Sequence, residues 1–339
     1  MQHRDLIIKR LIGCWNNWQF NILLTLSIII MSVATFNSCK NSAADSKLAI
    51  KEGFIQVTGG KIWYRIVGAD RKGIPLLTLH GGPGAPHDYL EPLEALADER
   101  PVIFYDQLGC GNSDRPMDTS LWNINRFALE LEQVRAALDL KEVHILGASW
   151  GTMLGVEYAL SGKQGIKSLV LSGPFLSTSL WDADQQEWIN QLPVKIRDTI
   201  RKYEANGEYS ASSYRDAMME YYKLHVCRLE TWPDCINRTF EKMGVEVYQY
   251  MWGPSEFTMT GTLKGANLLP KLGSLKIPTL LTCGEFDEAT PKTTKLYMDK
   301  IPGSEMHVFK GASHAHQLES KEEFLTLVRV FLRKNDVQQ

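Results

Sequence analysis

Four short apolar runs constrain this chain more than any other feature: residues 75–79, 102–105, 143–146 and 167–171. Each is bounded by turn formers, and none alternates polar with apolar. Runs this short and continuous suit strands buried on both faces of a parallel sheet. Between the second and third lies a stretch with Phe127, Leu131, Val134 and Leu138 at helical spacing, with Glu130, Glu132 and Arg135 set on the opposite, solvent side. Ahead of the runs, residues 54–57 and 61–67 flank Gly59-Gly60 and predict a hairpin. Strands separated by helices argue an α/β class, a doubly wound, mostly parallel sheet.

The alternation stops after Pro174. Residues 175–268 carry helical segments rich in Trp, Tyr, Met and charge, among them Trp181, Trp188, Tyr214, Tyr248 and Trp252. The core pattern returns at 278–283 and 306–309 and ends in a helix near 322–333. The simplest organisation is a core of residues 51–174 and 269–339 with a helical cap, 175–268, inserted over the ends of its strands. Most of the cap aromatics are expected to be core.

Gly147-Ala148-Ser149-Trp150-Gly151 follows the run 143–146 and precedes the helix-like stretch 152–160. This is G-x-S-x-G in the strand–turn–helix setting that lifts a serine hydroxyl out of a tight turn as a nucleophile. A serine needs a base, and in the α/β-hydrolase fold the acid and then the histidine follow the serine along the chain. Asp287, in Gly284-Glu285-Phe286-Asp287-Glu288, is the candidate acid. His314, in Gly311-Ala312-Ser313-His314, is the candidate base. Both follow strands, at the end from which Ser149 emerges. Glu285 and Glu288 are the rival acids and His316 the rival base. His80-Gly81-Gly82-Pro83-Gly84 follows the run 75–79, where half of an oxyanion hole is expected; the backbone N–H groups of Gly82 and Trp150 are assigned to it, since Pro83 has none to give. Asp106 and Ser113 read as structural supports of a loop.

These motifs, with Asp106-Gln107-Leu108-Gly109-Cys110-Gly111-Asn112-Ser113, resemble the proline iminopeptidase family. Gly253-Pro254-Ser255-Glu256-Phe257-Thr258 and Gly284-Glu285-Phe286-Asp287-Glu288 are similar to its tricorn-interacting-factor branch. The resemblance runs from about residue 53 to 332. It implies an α/β-hydrolase fold with a helical cap, an aminopeptidase that releases proline or another, mostly apolar, N-terminal residue from short peptides, and neither metal nor cofactor. It further implies that Glu256 and Glu288 bind the substrate's α-ammonium. Ala148 and Thr152 depart from residues common in the family and bear on pocket shape. An esterase or lactonase acting on an uncharged small molecule is the alternative with the same triad.

The first residues read differently. Arg4, Lys9 and Arg10 precede a 15-residue apolar run, 22–36, that carries no charge. It is short of the about 20 residues a membrane span needs and suits a signal-peptide core. Phe36-Asn37-Ser38-Cys39 and the polar stretch after it resemble a bacterial lipoprotein signal, which implies a leader of residues 1–38, lipidation at Cys39 and a tether over 39–50. An uncleaved signal anchor and a cleaved, free form are the other readings. All three predict export, with membrane attachment through lipid or anchor in the first two, at the periplasm or cell surface. Cys227 and Cys235 could form a disulfide or stay as thiols. The formal net charge of −2 gives no basic field for a nucleic-acid partner, and nothing sets an oligomeric state.

Overall fold

The computed structural model describes residues 48–336. The chain divides into two units, Met1–Ser46 and Lys47–Gln339, and all described residues belong to the second. The leader, Cys39 and most of the tether lie outside the described residues. No described helix is long and apolar enough to cross a membrane.

Eight strands form one sheet in the order β1-β2-β4-β3-β5-β6-β7-β8. β1 (Ile50–Val57) and β2 (Gly60–Val67) make the expected antiparallel hairpin, and β2 continues antiparallel onto β4 (Val102–Tyr105). From β4 through β3 (Leu76–Leu79), β5 (Val143–Ala148), β6 (Ile166–Ser172), β7 (Thr279–Gly284) and β8 (Glu305–Phe309) all pairings are parallel.

The unbroken apolar runs have a packing reason. Alternate residues of each strand enter two different cores. Leu77, Leu79, Ile103, Tyr105, Ile145 and Leu171 pack on one face with α1 (Ile124–Ala137), α2 (Trp150–Leu160) and α8 (Pro291–Lys300). Leu76, Val102, Phe104, Leu146, Val170 and Leu280 pack on the other with the 3-10 segment His87–Asp98 and α10 (Lys321–Asp336). Phe324, Val328 and Phe331 of α10 repeat at helical spacing towards that second core. Burying each such side chain contributes about 1.5–3 kcal/mol, which makes a two-faced sheet the dominant solution.

Helix α1 forms over the predicted stretch, starting where the Asn123 side chain accepts from Arg126 N. Its charged residues depart from expectation. Glu130 is fully buried and pairs with Arg126, while Arg135 is buried against the Tyr158 hydroxyl and the Leu140 carbonyl. The Glu130 carboxylate also takes the Leu108 N–H. An inward charge survives because it is paired and hydrogen-bonded on arrival.

Between β6 and β7 the described residues form α3 (Thr178–Gln191), α4 (Val194–Asn206), α5 (Ser212–His225), α6 (Asp234–Glu241) and α7 (Val245–Met251). Ile189, Ile200, Tyr214, Tyr221 and Phe257 build a separate small core among them. Cys227 and Cys235 are free, buried thiols in one apolar cluster rather than a disulfide.

Candidate active site

The ends of β3, β5, β7 and β8 deliver the site. At the end of β5 the backbone turns directly into α2 through Ser149, which holds φ 53° and ψ −121°. A non-glycine residue there is strained and persists only where its surroundings fix it. Its surroundings are backbone. A Cβ on Gly147 would stand 2.3 Å from the Gly151 carbonyl oxygen, and one on Gly151 would stand 2.1 Å from that of Leu79. Both glycines are demanded by this close approach. Ser149 N donates to Ser172 O at 2.9 Å, which pins the turn to β6.

Asp287 follows β7 and is wholly buried. Its Oδ1 receives Nδ1 of His314 at 2.6 Å and the Ala289 N–H at 2.8 Å, and its Oδ2 receives Gly284 N–H at 3.2 Å. Burial would raise the Asp287 carboxyl, but the charge and hydrogen bond of His314, with His316 adding, hold it well below the usual carboxylate range. With Nδ1 committed to Asp287, the other ring nitrogen of His314 remains to face the cavity that Ser149 and His314 both line. No Ser149–His314 hydrogen bond is formed among the described residues; the two residues line the same cavity.

The rivals are placed elsewhere. Glu285 is exposed and accepts from Gly311 N at 2.8 Å. His316 is fully buried, with Nε2 at 2.9 Å from Ser172 Oγ and 3.0 Å from Thr282 Oγ1. Its Nδ1 lies 3.5 Å from Asp287 Oδ2, so it supports the acid from behind, a role the sequence reading missed. The helices between β6 and β7 hold the same loops. Trp188 Nε1 donates to Asp287 O at 2.9 Å, Gln185 Nε2 to Glu288 O at 3.1 Å, and His314 N to His225 O at 3.0 Å.

The two N–H groups expected to face an oxyanion are free of backbone partners among the described residues. Trp150 is the first residue of α2, where no intrahelical acceptor exists. Gly81 N–H is already given to Tyr89 Oη at 2.8 Å, whereas Gly82 N–H has no backbone partner among the described residues. Tyr89 was not foreseen, because a hydroxyl eight residues downstream carries no motif. His80 and Gln107 brace the loop further: Gln107 N donates to His80 Nε2 at 2.8 Å, and Trp150 Nε1 donates to Gln107 Oε1 at 3.0 Å. Asp106 and Ser113 act as the supports expected of them. Asp106 accepts from His87 N and Asn112 N, and Ser113 Oγ ties Asp106 O to Trp63 N.

Glu256 and Glu288 line the same cavity as Ser149 and His314. Glu256 accepts the Tyr248 hydroxyl at 2.6 Å. Glu288 is 4% exposed, its Oε1 is 3.8 Å from His314 Nε2, and its Oε2 is buried with no hydrogen-bond partner. Burial pushes both carboxyls up. For Glu288, His314 opposes this while Glu256 and Asp287 add to it. An orphaned carboxylate oxygen at a cavity wall is costly unless a donor arrives to meet it.

Residues 74–321 match the α/β-hydrolase fold family. The chain is 45% identical over 282 residues to a proline iminopeptidase of Heyndrickxia coagulans, covering 83% of this chain and 98% of that one. It is 36% identical over 288 residues to one of Thermoplasma volcanium, covering 84% and 97%. The crystal structure of a Mycobacterium smegmatis proline iminopeptidase, 36% identical, superposes with a TM-score of 0.80 over 84% of this chain and 99% of that chain. The chain belongs to the proline iminopeptidase family, within the α/β-hydrolase superfamily.

Membership corrects one expectation. The family members from Heyndrickxia coagulans and Thermoplasma volcanium are matched over 98% and 97% of their own length, so almost nothing in them is left to correspond to a lipoprotein leader. On that ground the expectation of an exported, membrane-anchored protein is corrected; separately, no described helix is long and apolar enough to cross a membrane.

A metal has little to hold it among the described residues. His87, Asp88 and Glu91 bring ligand atoms within 4.8 Å of one another. Yet His87 Nδ1 is bound to Asp106 Oδ1 at 2.7 Å, and Asp88 and Glu91 already meet Arg238 and Lys242 of the α6 region.

Proposed function

We propose that this cavity is the active site of a serine aminopeptidase that releases the N-terminal residue, proline or another mostly apolar one, from short peptides through an acyl-enzyme. His314 Nε2 takes the proton of Ser149 Oγ as Oγ bonds to the carbonyl carbon. The oxyanion is received by the N–H groups of Gly82 and Trp150. His314 then returns the proton to the departing nitrogen, and the amine leaves. A water activated by the same imidazole cleaves the ester and frees the amino acid. Asp287 keeps the imidazole in one tautomer and stabilises its charged form. No step calls on a metal or cofactor. Residues 175–268 act as the cap that closes the cavity and carries Glu256.

One observation carries the reading. A buried carboxylate oxygen of Glu288 lacks any partner in the cavity of a serine nucleophile, with Glu256 beside it. The α-ammonium of a peptide supplies donors and opposite charge together. An uncharged ester or lactone would leave the buried Glu288 oxygen without a partner, which disfavours the esterase alternative. The test is release of the first residue from prolyl, alanyl and leucyl anilides by the wild type and Ser149→Ala. The variant is expected to lose about 10⁴-fold or more. Undiminished release by Ser149→Ala would refute the mechanism.

A further inference from the structure

Resting on the aminopeptidase reading, we infer that Val226, Ile236, Phe240 and Met243 form the subsite for the residue after the scissile bond, and that this subsite takes a large apolar side chain.

Glu256, Glu288 and Tyr248 line the cavity, and the two glutamates hold the α-ammonium in this reading. The leaving nitrogen must come to His314, because the imidazole that deprotonates Ser149 also protonates the departing amine. What flanks His314 on the leaving side therefore meets the second residue. Ala315 follows His314, lines the cavity, and donates its N–H to Val226 O at 2.8 Å. Ile236 packs in the same apolar cluster as Ala315. Ile236, Phe240 and Met243 recur at helical spacing along α6 and just past its end, and all three line the cavity.

None of these four side chains carries a charge. Phe240 is 46% exposed, unusual for a ring at a cavity wall, and it stacks on Trp232 with centroids 5.8 Å apart. Burying such a ring against a ligand gains what folding left unused.

The wall is also fixed in place. Thr239 Oγ1 accepts Tyr89 N at 3.1 Å, on the segment whose hydroxyl holds Gly81. The same segment also holds α6 through Arg238, at 3.1 Å from Asp88 Oδ1, and Lys242, at 2.9 Å from the same oxygen. A wall pinned by ion pairs to the oxyanion-loop side discriminates by shape and polarity instead of yielding.

The experiment measures kcat/KM for Pro-Phe-NH2, Pro-Leu-NH2, Pro-Gly-NH2 and Pro-Asp-NH2. The wild type is expected to favour Phe and Leu over Gly by roughly tenfold or more, with Asp lowest. Phe240→Ala should collapse the Phe-to-Gly ratio several-fold, and Phe240→Leu should retain most of it. The ratio reads the subsite even if the variant is less stable. Four dipeptides cleaved at equal rates, or a variant that alters choice of the first residue and not the second, would overturn the inference while leaving the aminopeptidase standing. No cleavage of any dipeptide would remove both.

Discussion

Glu288 Oε1 lies 3.8 Å from His314 Nε2, the nitrogen proposed to accept the serine proton. With Asp287 on the other ring nitrogen and Glu256 in the same cavity, acidic groups press on one imidazole from several sides. Burial would lower the His314 pKa, but Asp287, Glu288 and Glu256 together push it up to about 9. A base with a raised pKa keeps its proton below that value, so its activity grows as pH rises through it. An α-ammonium that pairs with the glutamates offsets their pull.

A reagent with no ammonium therefore meets a protonated base. The rate at which a fluorophosphonate labels Ser149 should rise with pH to a midpoint near 9. Glu288→Gln removes an acidic group that helps hold the imidazole's proton, so the midpoint should fall and labelling at pH 7 should quicken. Identical profiles for the two proteins would show that Glu288 does not act on the imidazole.

The glutamates should also separate substrates by charge. Glu256→Gln is expected to lower kcat/KM for a free prolyl amide by about 10-fold or more, since a hydrogen bond to a charged group contributes about 1.5–3 kcal/mol. A neutral acetyl ester should lose much less. Equal losses on both substrates, measured in parallel, would mean that Glu256 serves only the fold.

Tyr89 offers a finer probe of the oxyanion loop. Tyr89→Phe deletes the acceptor of the Gly81 N–H and leaves that group unpaired, at a cost of about 1–3 kcal/mol. The adjoining Gly82 N–H should shift, and kcat should fall roughly tenfold with KM little changed. A kcat equal to wild type would detach Tyr89 from the loop's placement.

Two glycines give a contrast in stability. An Ala at position 151 would push its Cβ to 2.1 Å from a strand carbonyl, whereas at position 162, φ +78°, nothing lies within 4 Å. Gly151→Ala should yield little folded protein. Gly162→Ala should cost only the left-handed backbone, about 1–2 kcal/mol, and a modest drop in Tm. Similar melting curves for the two would contradict the tight-turn account.

The parts legible in the sequence were those with short-range chemistry: runs that alternate between two cores, a serine between two obligate glycines, and an acid and a histidine each just after a strand. What escaped it depends on distant partners. Glu130 reads as solvent-facing on a helical wheel, yet Arg126 one turn back and the Leu108 N–H carry it inward. His316 looks like a competitor of His314, but in the fold it sits behind Asp287, between β6 and β7. The expectation of export was corrected on different grounds. A basic start, an apolar run and a cysteine are local signals that do not depend on the fold, and relatives matched over nearly their whole length outweigh them.

The most direct measurement compares kcat/KM for a prolyl anilide with a free N-terminus against its N-acetyl form at neutral pH. Loss of a paired α-ammonium at Glu256 and Glu288 predicts turnover of the free substrate that is faster by about 100-fold or more. Equal turnover of the two would contradict amine recognition, and with it the account of the site given above.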